Sequence, residues 1–244
     1  MPEIQLIVPG QPIGFADVET ALHEPDGLLA IGGDLSVERL LAAYRAGIFP
    51  WFNEGEDVLW WAPNPRAVLV PHEFACSRSL AKTLRKDRFQ VSVDQDFNEV
   101  IRQCAAVRES DGTWITSEMA TAYQNLHQSG HAHSVETWLD GRLVGGLYGV
   151  RMGSIFFGES MFSIEPDASK VALAVLVRVC EASGIALIDC QQASAHLARL
   201  GARLIKRRRF SEILAANVDI EPQHSDWRRA PLPTTAWMNR NQNA

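Results

Sequence analysis

The chain has 244 residues, 46% hydrophobic and 21% charged. That is long enough to bury a full core without disulfides or metal, and the composition excludes disorder and fibrous repeats. Its 23 Lys and Arg against 29 Asp and Glu leave a net charge of −6, which excludes a protein that coats nucleic acid through bulk positive charge but leaves room for a local basic patch.

The first 65 residues read as a small N-terminal domain, rich in Gly and Pro and carrying an aromatic cluster: Phe49, Trp51, Phe52, Trp60 and Trp61. One helix is expected within it, from Ser36 to Ala46. Ser36 caps it, Glu38 suits the positive end of its dipole, and Gly47 stops it. Pro63 and Pro65 break the chain, which places a domain boundary near residue 65 and a second domain over residues 66–244.

The second domain opens on RAVLVPHEFA. From Ser77 the segment SRSLAKTLRK predicts a helix whose Arg78, Lys82, Arg85 and Lys86 fall on one face, extended by Arg88, with Leu80 and Leu84 opposite. Further helices are expected over 96–107 and from Ser117 to Ser129, the latter stopped by Gly130. HSVETWL, GRLVGGLYGV and GSIFFGESMF then predict an antiparallel meander turned at Asp140-Gly141 and Met152-Gly153. A largely apolar helix from about Ala168 to Ala182 ends at Gly184, and IALIDCQ follows as a buried strand. That order implies a parallel strand pair with a right-handed crossover. A short helix ends at Gly201. The class is α/β with a mixed sheet.

Ligands of open α/β sheets sit beyond the carboxyl ends of parallel strands. One strand reads as ending at Gly158-Glu159-Ser160-Met161, the other at Asp189-Cys190-Gln191, which brings two carboxylates and an amide to one rim. Alternation puts Asp189 and Gln191 on one face and Cys190 on the other. The plain alternative is that Asp189 caps the next helix and Glu159 makes a surface ion pair. His131-x-His133 has metal-ligand spacing but no visible third ligand, so a structural role is expected, as for His196. Gly32-Gly33 and Gly145-Gly146 are too sparse for a nucleotide fingerprint and read as turns or close packing. Trp51 and Trp114 lie in Gly-, Pro-rich or polar contexts, where an aromatic ring near basic residues suits an unpaired base; the alternative is core filler. A second basic run is Lys206-Arg207-Arg208-Arg209.

At these residues the chain resembles the leucyl/phenylalanyl-tRNA–protein transferases. The segments GLLAIGGDL (27–35), AYRAGIFPWF (43–52), WWAPNPR (60–66), GTWIT (112–116), GHAHSVE (130–136), GGLYGV (145–150), FFGESMFS (156–163), ASKVAL (168–173), LIDCQ (187–191) and HLARLGA (196–202) carry the resemblance in order. It implies a small N-terminal domain joined to an acetyltransferase-like (GNAT-like) domain. The implied enzyme moves Leu or Phe, and less readily Met, from aminoacyl-tRNA to proteins beginning with Arg or Lys, making an N-end rule degradation signal. It also implies roles: Asp189 and Gln191 as the catalytic pair with Glu159 in support; Trp51 and Trp114 holding the terminal adenosine; Leu147, Phe156, Met161, Leu173, Leu176 and Ile188 as the aminoacyl side-chain pocket. The basic face of Arg78, Lys82, Arg85 and Lys86 would meet the tRNA backbone. Ile188 fits alternation with Asp189 only through a bulge or splayed strand. No metal and no cofactor are expected, because an aminoacyl ester is already activated. The four cysteines have no zinc-knuckle or redox-dithiol spacing, the N-terminus has no signal-peptide pattern and no run is long enough to span a membrane, so a cytoplasmic protein is expected.

Two other readings remain at this stage. An acetyltransferase using an acyl thioester would need a pyrophosphate cradle, which FSIEPDAS does not supply. A non-catalytic RNA-binding module would leave Glu159, Asp189 and Gln191 without a task.

Overall fold

The computed structural model describes residues 4–8, 10–107, 113–220 and 227. It has two sheets. A four-stranded sheet runs in the order β1 (Gln5–Ile7), β2 (Leu28–Gly32), β4 (Leu59–Trp61), β3 (Phe49–Pro50), with β1 parallel to β2 and the rest antiparallel. These strands are two to five residues long, too short for period-two alternation to show among the prolines and glycines. Helix α1 (Val37–Arg45) crosses from β2 to β3. Ser36 Oγ accepts from the Arg39 amide and Gly47 sits at φ +77°, so both expected ends are found.

The seven-stranded sheet runs β11 (Arg203–Ile205), β5 (Arg66–Leu69), β10 (Leu187–Gln191), β9 (Ile155–Ser163), β8 (Arg142–Met152), β7 (Ala132–Leu139), β6 (Gln90–Val93). The meander β7-β8-β9 is antiparallel, and β9 pairs in parallel with β10 through helix α5 (Ala168–Ala182). Asp140 and Gly141 both take positive φ, 51° and 73°, as a two-residue hairpin turn of the primed kind requires. Gly145 is a close-packing glycine: a Cβ there would stand 2.5 Å from the Ala168 Cβ, so α5 could not lie so close to β8.

Alternate strand residues feed two cores. Tyr148, Phe157 and Leu187 face α1, α3 (Phe97–Ala106) and α4 (Ser117–Gln128). Leu147, Phe156 and Ile188 face α5 and α2 (Arg78–Arg85). Leu80 and Leu84 bury the apolar side of α2, as their spacing predicts. The first core also takes in Leu40, Tyr44, Phe49 and Trp60, so the small sheet and its helix share packing with the large one. The elements without a sequence expectation include the edge strands β6 and β11, and α7 (Arg207–Asn217), which grows out of the second basic run.

Candidate active site

Strands β9 and β10 pair as Leu187↔Ile155, Ile188↔Phe156 and Asp189↔Phe157, and no further. Beyond that point each strand is irregular. On β9 the register with β8 shifts: Gly149 faces Gly158 and Tyr148 faces Ser160, so Glu159 is the extra residue of a bulge. On β10 the register with β5 shifts between Asp189 and Gln191, and Gln191 takes φ +60°. Two adjoining cavities, each of about 310 Å³, open where the strands part.

The bulges change two expectations. Strand β9 runs on to Ser163, past the expected end at Gly158-Glu159-Ser160-Met161, so Glu159 projects from within a strand. Asp189 and Gln191 do not share a face. Ile188, Cys190 and Gln191 all line the cleft, while Asp189 turns away and is wholly buried. Ile188 and Asp189 keep to alternation, and the bulge after Asp189 brings Gln191 to the side of Ile188.

The first cavity is apolar. Leu147, Phe156, Met161, Leu173, Leu176 and Ile188 all line it, with His196 and Leu197 at one side. Burial lowers the pKa of His196, as do Lys170 and Arg199, so its ring is neutral near pH 7. The second cavity is lined by Phe49, Pro50, Trp51, Trp114 and residues 190–194. Trp51 is 41% exposed, and its carbonyl accepts from Trp61 Nε1 at 2.7 Å, fixing the loop that carries it. Glu159, Cys190 and Gln191 belong to both cavities and form the junction.

At the junction Gln191 Nε2 donates to Glu159 Oε1 at 2.9 Å, and Tyr123 Oη donates to Oε2 at 2.7 Å. Tyr44 Oη lies 2.6 Å from Tyr123 Oη. Burial pushes the Glu159 carboxyl up to about 7; the tyrosine hydrogen bonds oppose this, the nearby Asp189 adds to it and Arg66 counters it. Burial raises both phenols well above their ordinary range, so they stay neutral donors.

Asp189 accepts from Arg66 at both oxygens, Nε to Oδ1 at 2.9 Å and Nη2 to Oδ2 at 2.7 Å, and from the Gln191 amide at 2.9 Å. Arg66 lies 4.8 Å from the ring centres of both Phe49 and Phe210. Arg66, Tyr44 and Tyr123 carry no local sequence signal for this role. Arg66 and Tyr44 stand inside the quoted motifs, but nothing there pairs them with residues far along the chain.

Other expected residues fall elsewhere. Arg78, Lys82, Arg85 and Lys86 are all exposed on α2, and none ion-pairs with a carboxylate among the described residues. Thr83 Oγ1 donates to Asp167 Oδ2 at 3.1 Å, tying α2 to the start of the helix that lines the apolar cavity. Arg88 does not extend this free face, being paired with Glu165 at 3.0 Å. In the second basic run Arg207 is buried and donates to the Ala62 carbonyl, while Arg208 and Arg209 pair with Glu212. His133 Nδ1 bonds Asp94 at 2.7 Å and its ring stacks on Trp227, which is the structural role expected of it. The N-cap of α5 is Asp167, with Glu165 beside it, so carboxylates stand where a pyrophosphate cradle would need amides.

Fold and cleft together are those of an α/β protein whose candidate site lies where β9 and β10 part. The family model described as leucyl/phenylalanyl-tRNA protein transferase matches residues 68–215, and the model of that family's N-terminal domain matches residues 33–64. The leucyl/phenylalanyl-tRNA–protein transferase of Nitrosomonas eutropha is 58% identical over 214 residues, covering 87% of this chain and 92% of that one. That of Azotobacter vinelandii is 56% identical over 216 residues, covering 88% and 95%. The chain belongs to the leucyl/phenylalanyl-tRNA–protein transferase family. It is an enzyme that transfers an amino acid from tRNA to protein. Among solved structures, a GCN5-related N-acetyltransferase from Kribbella flavida is 12% identical with a TM-score of 0.36, covering 66% of this chain and 57% of that one. Among the described residues no helix is long and apolar enough to cross a membrane.

Proposed function

We propose that this enzyme transfers Leu or Phe, and less readily Met, from aminoacyl-tRNA to the α-amine of proteins that begin with Arg or Lys, marking them for degradation by the N-end rule in the cytoplasm. The observation that supports this most is the pairing of cavities. An apolar cavity of about 310 Å³ meets an aromatic-sided one at Glu159 and Gln191. An aminoacyl adenosine has the matching form: an apolar side chain, an ester, and a flat base. In this reading the side chain fills the pocket of Leu147, Phe156, Met161, Leu173, Leu176 and Ile188, the base lies against Trp51 and Trp114, and the ester carbonyl sits at the junction. The sheet break between Trp61 and Arg66 supports a division into domains near residue 65.

The chemistry needs alignment more than activation. The acceptor amine, with an ordinary pKa of about 8, has a neutral fraction at pH 7. Its nitrogen attacks the ester carbonyl, the new C–N bond forms as the ester C–O bond breaks, and the amine proton leaves to the ribose oxygen. Gln191 has its Nε2 held by Glu159, so its Oε1 remains to accept from the incoming amine. Asp189 acts on Gln191 from behind: its oxygens are occupied by Arg66 and the Gln191 amide, which suits a positioning role rather than proton abstraction. Binding both partners at one junction supplies the proximity that a bimolecular aminolysis lacks.

Incubation with labelled leucyl-tRNA and a Lys-initiated peptide, without ATP, tests the reading. Label on the peptide is expected. Label that stays on the tRNA, or consumption of acetyl-CoA instead, would overturn it.

A further inference from the structure

The hydroxyls of Tyr44 and Tyr123 form a fully buried chain that starts on α1, passes through α4 and ends on the Glu159 bulge. With Glu159 charged, its direction is fixed. Tyr123 has one proton and gives it to Glu159 Oε2, so the 2.6 Å contact behind it is Tyr44 donating to Tyr123. Glu159 therefore receives a donor at each oxygen, Tyr123 at Oε2 and Gln191 Nε2 at Oε1.

That arrangement bears on Gln191. A side-chain amide can present either end, and only its partners decide which. With Oε1 of Glu159 acting as an acceptor, the amide must turn its nitrogen inward and leave its oxygen to the cleft. A proton on Oε1 would set two donors against each other and favour the opposite orientation, with the nitrogen facing the cleft.

We propose that Tyr123, backed by Tyr44, is a positioning residue of the transfer reaction: it holds Glu159 as a two-sided acceptor and so turns the Gln191 carbonyl oxygen toward the acceptor amine. The proposal rests on the reading of Glu159 and Gln191 as the centre of the site. It goes beyond that reading by placing part of the machinery in α1 and α4, well away from the apolar pocket. The groups that act on Glu159 are Tyr44 from α1, Tyr123 from α4, Asp189 from β10 and Arg66 from β5, while Tyr148 from β8 packs edge-on against Tyr123. Of these, the two tyrosines and Arg66 favour the charged carboxylate, while burial and Asp189 oppose it. Loss of the Tyr123 hydroxyl leaves Glu159 easier to protonate, so the acid side of the activity profile moves to higher pH.

The test is single-turnover transfer from leucyl-tRNA to a Lys-initiated peptide, measured from pH 6 to pH 9 for wild type, Tyr123→Phe, Tyr44→Phe, Glu159→Gln and Gln191→Ala. Tyr123→Phe is expected to lower kcat about tenfold near pH 7, the loss of one hydrogen bond to a charged group, with KM for the charged tRNA unchanged. The deficit shrinks as pH rises, because the acid limb has moved up. Titration of the acceptor amine is common to all variants and cancels in the ratio to wild type. Tyr44→Phe keeps the bond to Glu159 and shows a smaller shift in the same direction; should Tyr123→Phe fail to fold, it carries the test alone. A wild-type profile in both phenylalanine variants, or a deficit equal at every pH, overturns the proposal. Wild-type turnover in Glu159→Gln and Gln191→Ala would instead overturn the reading of the site beneath it.

Discussion

Arg66 and Asp189 meet in a buried two-point ion pair, with Nε and Nη2 each 2.9 Å or less from a carboxylate oxygen and neither side chain more than 1% exposed. They lie 123 residues apart in the chain. Arg66 begins β5 just after the small sheet, and Asp189 stands at the point where β10 leaves β9. The guanidinium lies between Phe49 of the small sheet and Phe210 of α7, so one residue ties three parts of the fold to the cleft.

Removing one partner of such a pair strands the other charge away from water. Arg66→Ala is therefore expected to cost about 3–5 kcal/mol of stability. Arg66→Lys fails to restore it, because an ammonium cannot make the two parallel bonds or stack between rings. Urea unfolding of wild type, Arg66→Ala, Arg66→Lys and Asp189→Asn measures this. A Lys variant with the wild-type midpoint would show that charge alone, without the fork, suffices.

The carboxyl of Glu159 gives stability a definite pH dependence. Its pKa is about 7 in the fold against an ordinary 4.5, so between those values the folded chain binds more protons than the unfolded chain. Stability from this group is then lost as pH rises through that window, reaching about 3 kcal/mol above it. Glu159→Gln carries no such charge. It should gain stability over wild type between pH 5 and pH 8 while losing turnover, a trade of stability for function. A difference in unfolding midpoint that does not change with pH would remove Glu159 as the source.

Regular elements were legible in the sequence wherever side-chain periodicity ran long enough. The meander, α5 and its parallel crossover, and helices α1 to α4 follow from apolar spacing, with Ser36 capping α1 and Gly47 and Gly130 stopping α1 and α4. The six residues of the apolar cavity follow from the family resemblance and not from periodicity. The cleft's detail was hidden for a physical reason. Two bulges break the period-two rule at Glu159 and at Gln191, and a bulge is decided by strands paired from distant segments. Arg66, Tyr44 and Tyr123 act through contacts across 36 to 123 residues, which no local pattern carries.

Cys190 borders both cavities, yet burial, helped by the adjacent Asp189, pushes its thiol up to about 12. At pH 7 roughly one molecule in 10⁵ carries the thiolate that a covalent mechanism would need. Cys190→Ala is expected to transfer leucine at close to the wild-type rate, with no acyl-enzyme trapped by acid quench. Loss of turnover in Cys190→Ala, with the fold intact by circular dichroism, would place the thiol in the reaction.

Met161 is the unbranched member of the apolar lining, so its truncation enlarges the cavity without branching the wall. Met161→Ala is expected to favour Phe over Leu, shifting the ratio of kcat/KM values by about tenfold, the effect of a few methylenes in an apolar pocket. Transfer rates from leucyl- and phenylalanyl-tRNA, measured in competition, decide it. An unchanged ratio would mean that the cavity does not read the side chain.

A chain of net charge −6 must still hold a polyanion. Long-range attraction is unfavourable, so the contact must be local. Arg78, Lys82, Arg85 and Lys86 stand exposed on one face of α2 without carboxylate partners among the described residues, and the Thr83–Asp167 bond fixes that helix beside the start of α5. In the rival basic run Arg207 is buried, and the exposed Arg208 and Arg209 share Glu212 as a partner. Each phosphate neutralised on a duplex stem releases condensed counterions, so affinity falls with salt. Arg85→Ala or Lys86→Ala should lower the log–log salt slope of tRNA binding by about 1, with equal losses for leucyl- and phenylalanyl-tRNA. Met161→Ala should leave that slope alone while changing the amino-acid ratio. If every α2 variant keeps the wild-type slope, the face is solvated surface and the tRNA backbone is held elsewhere.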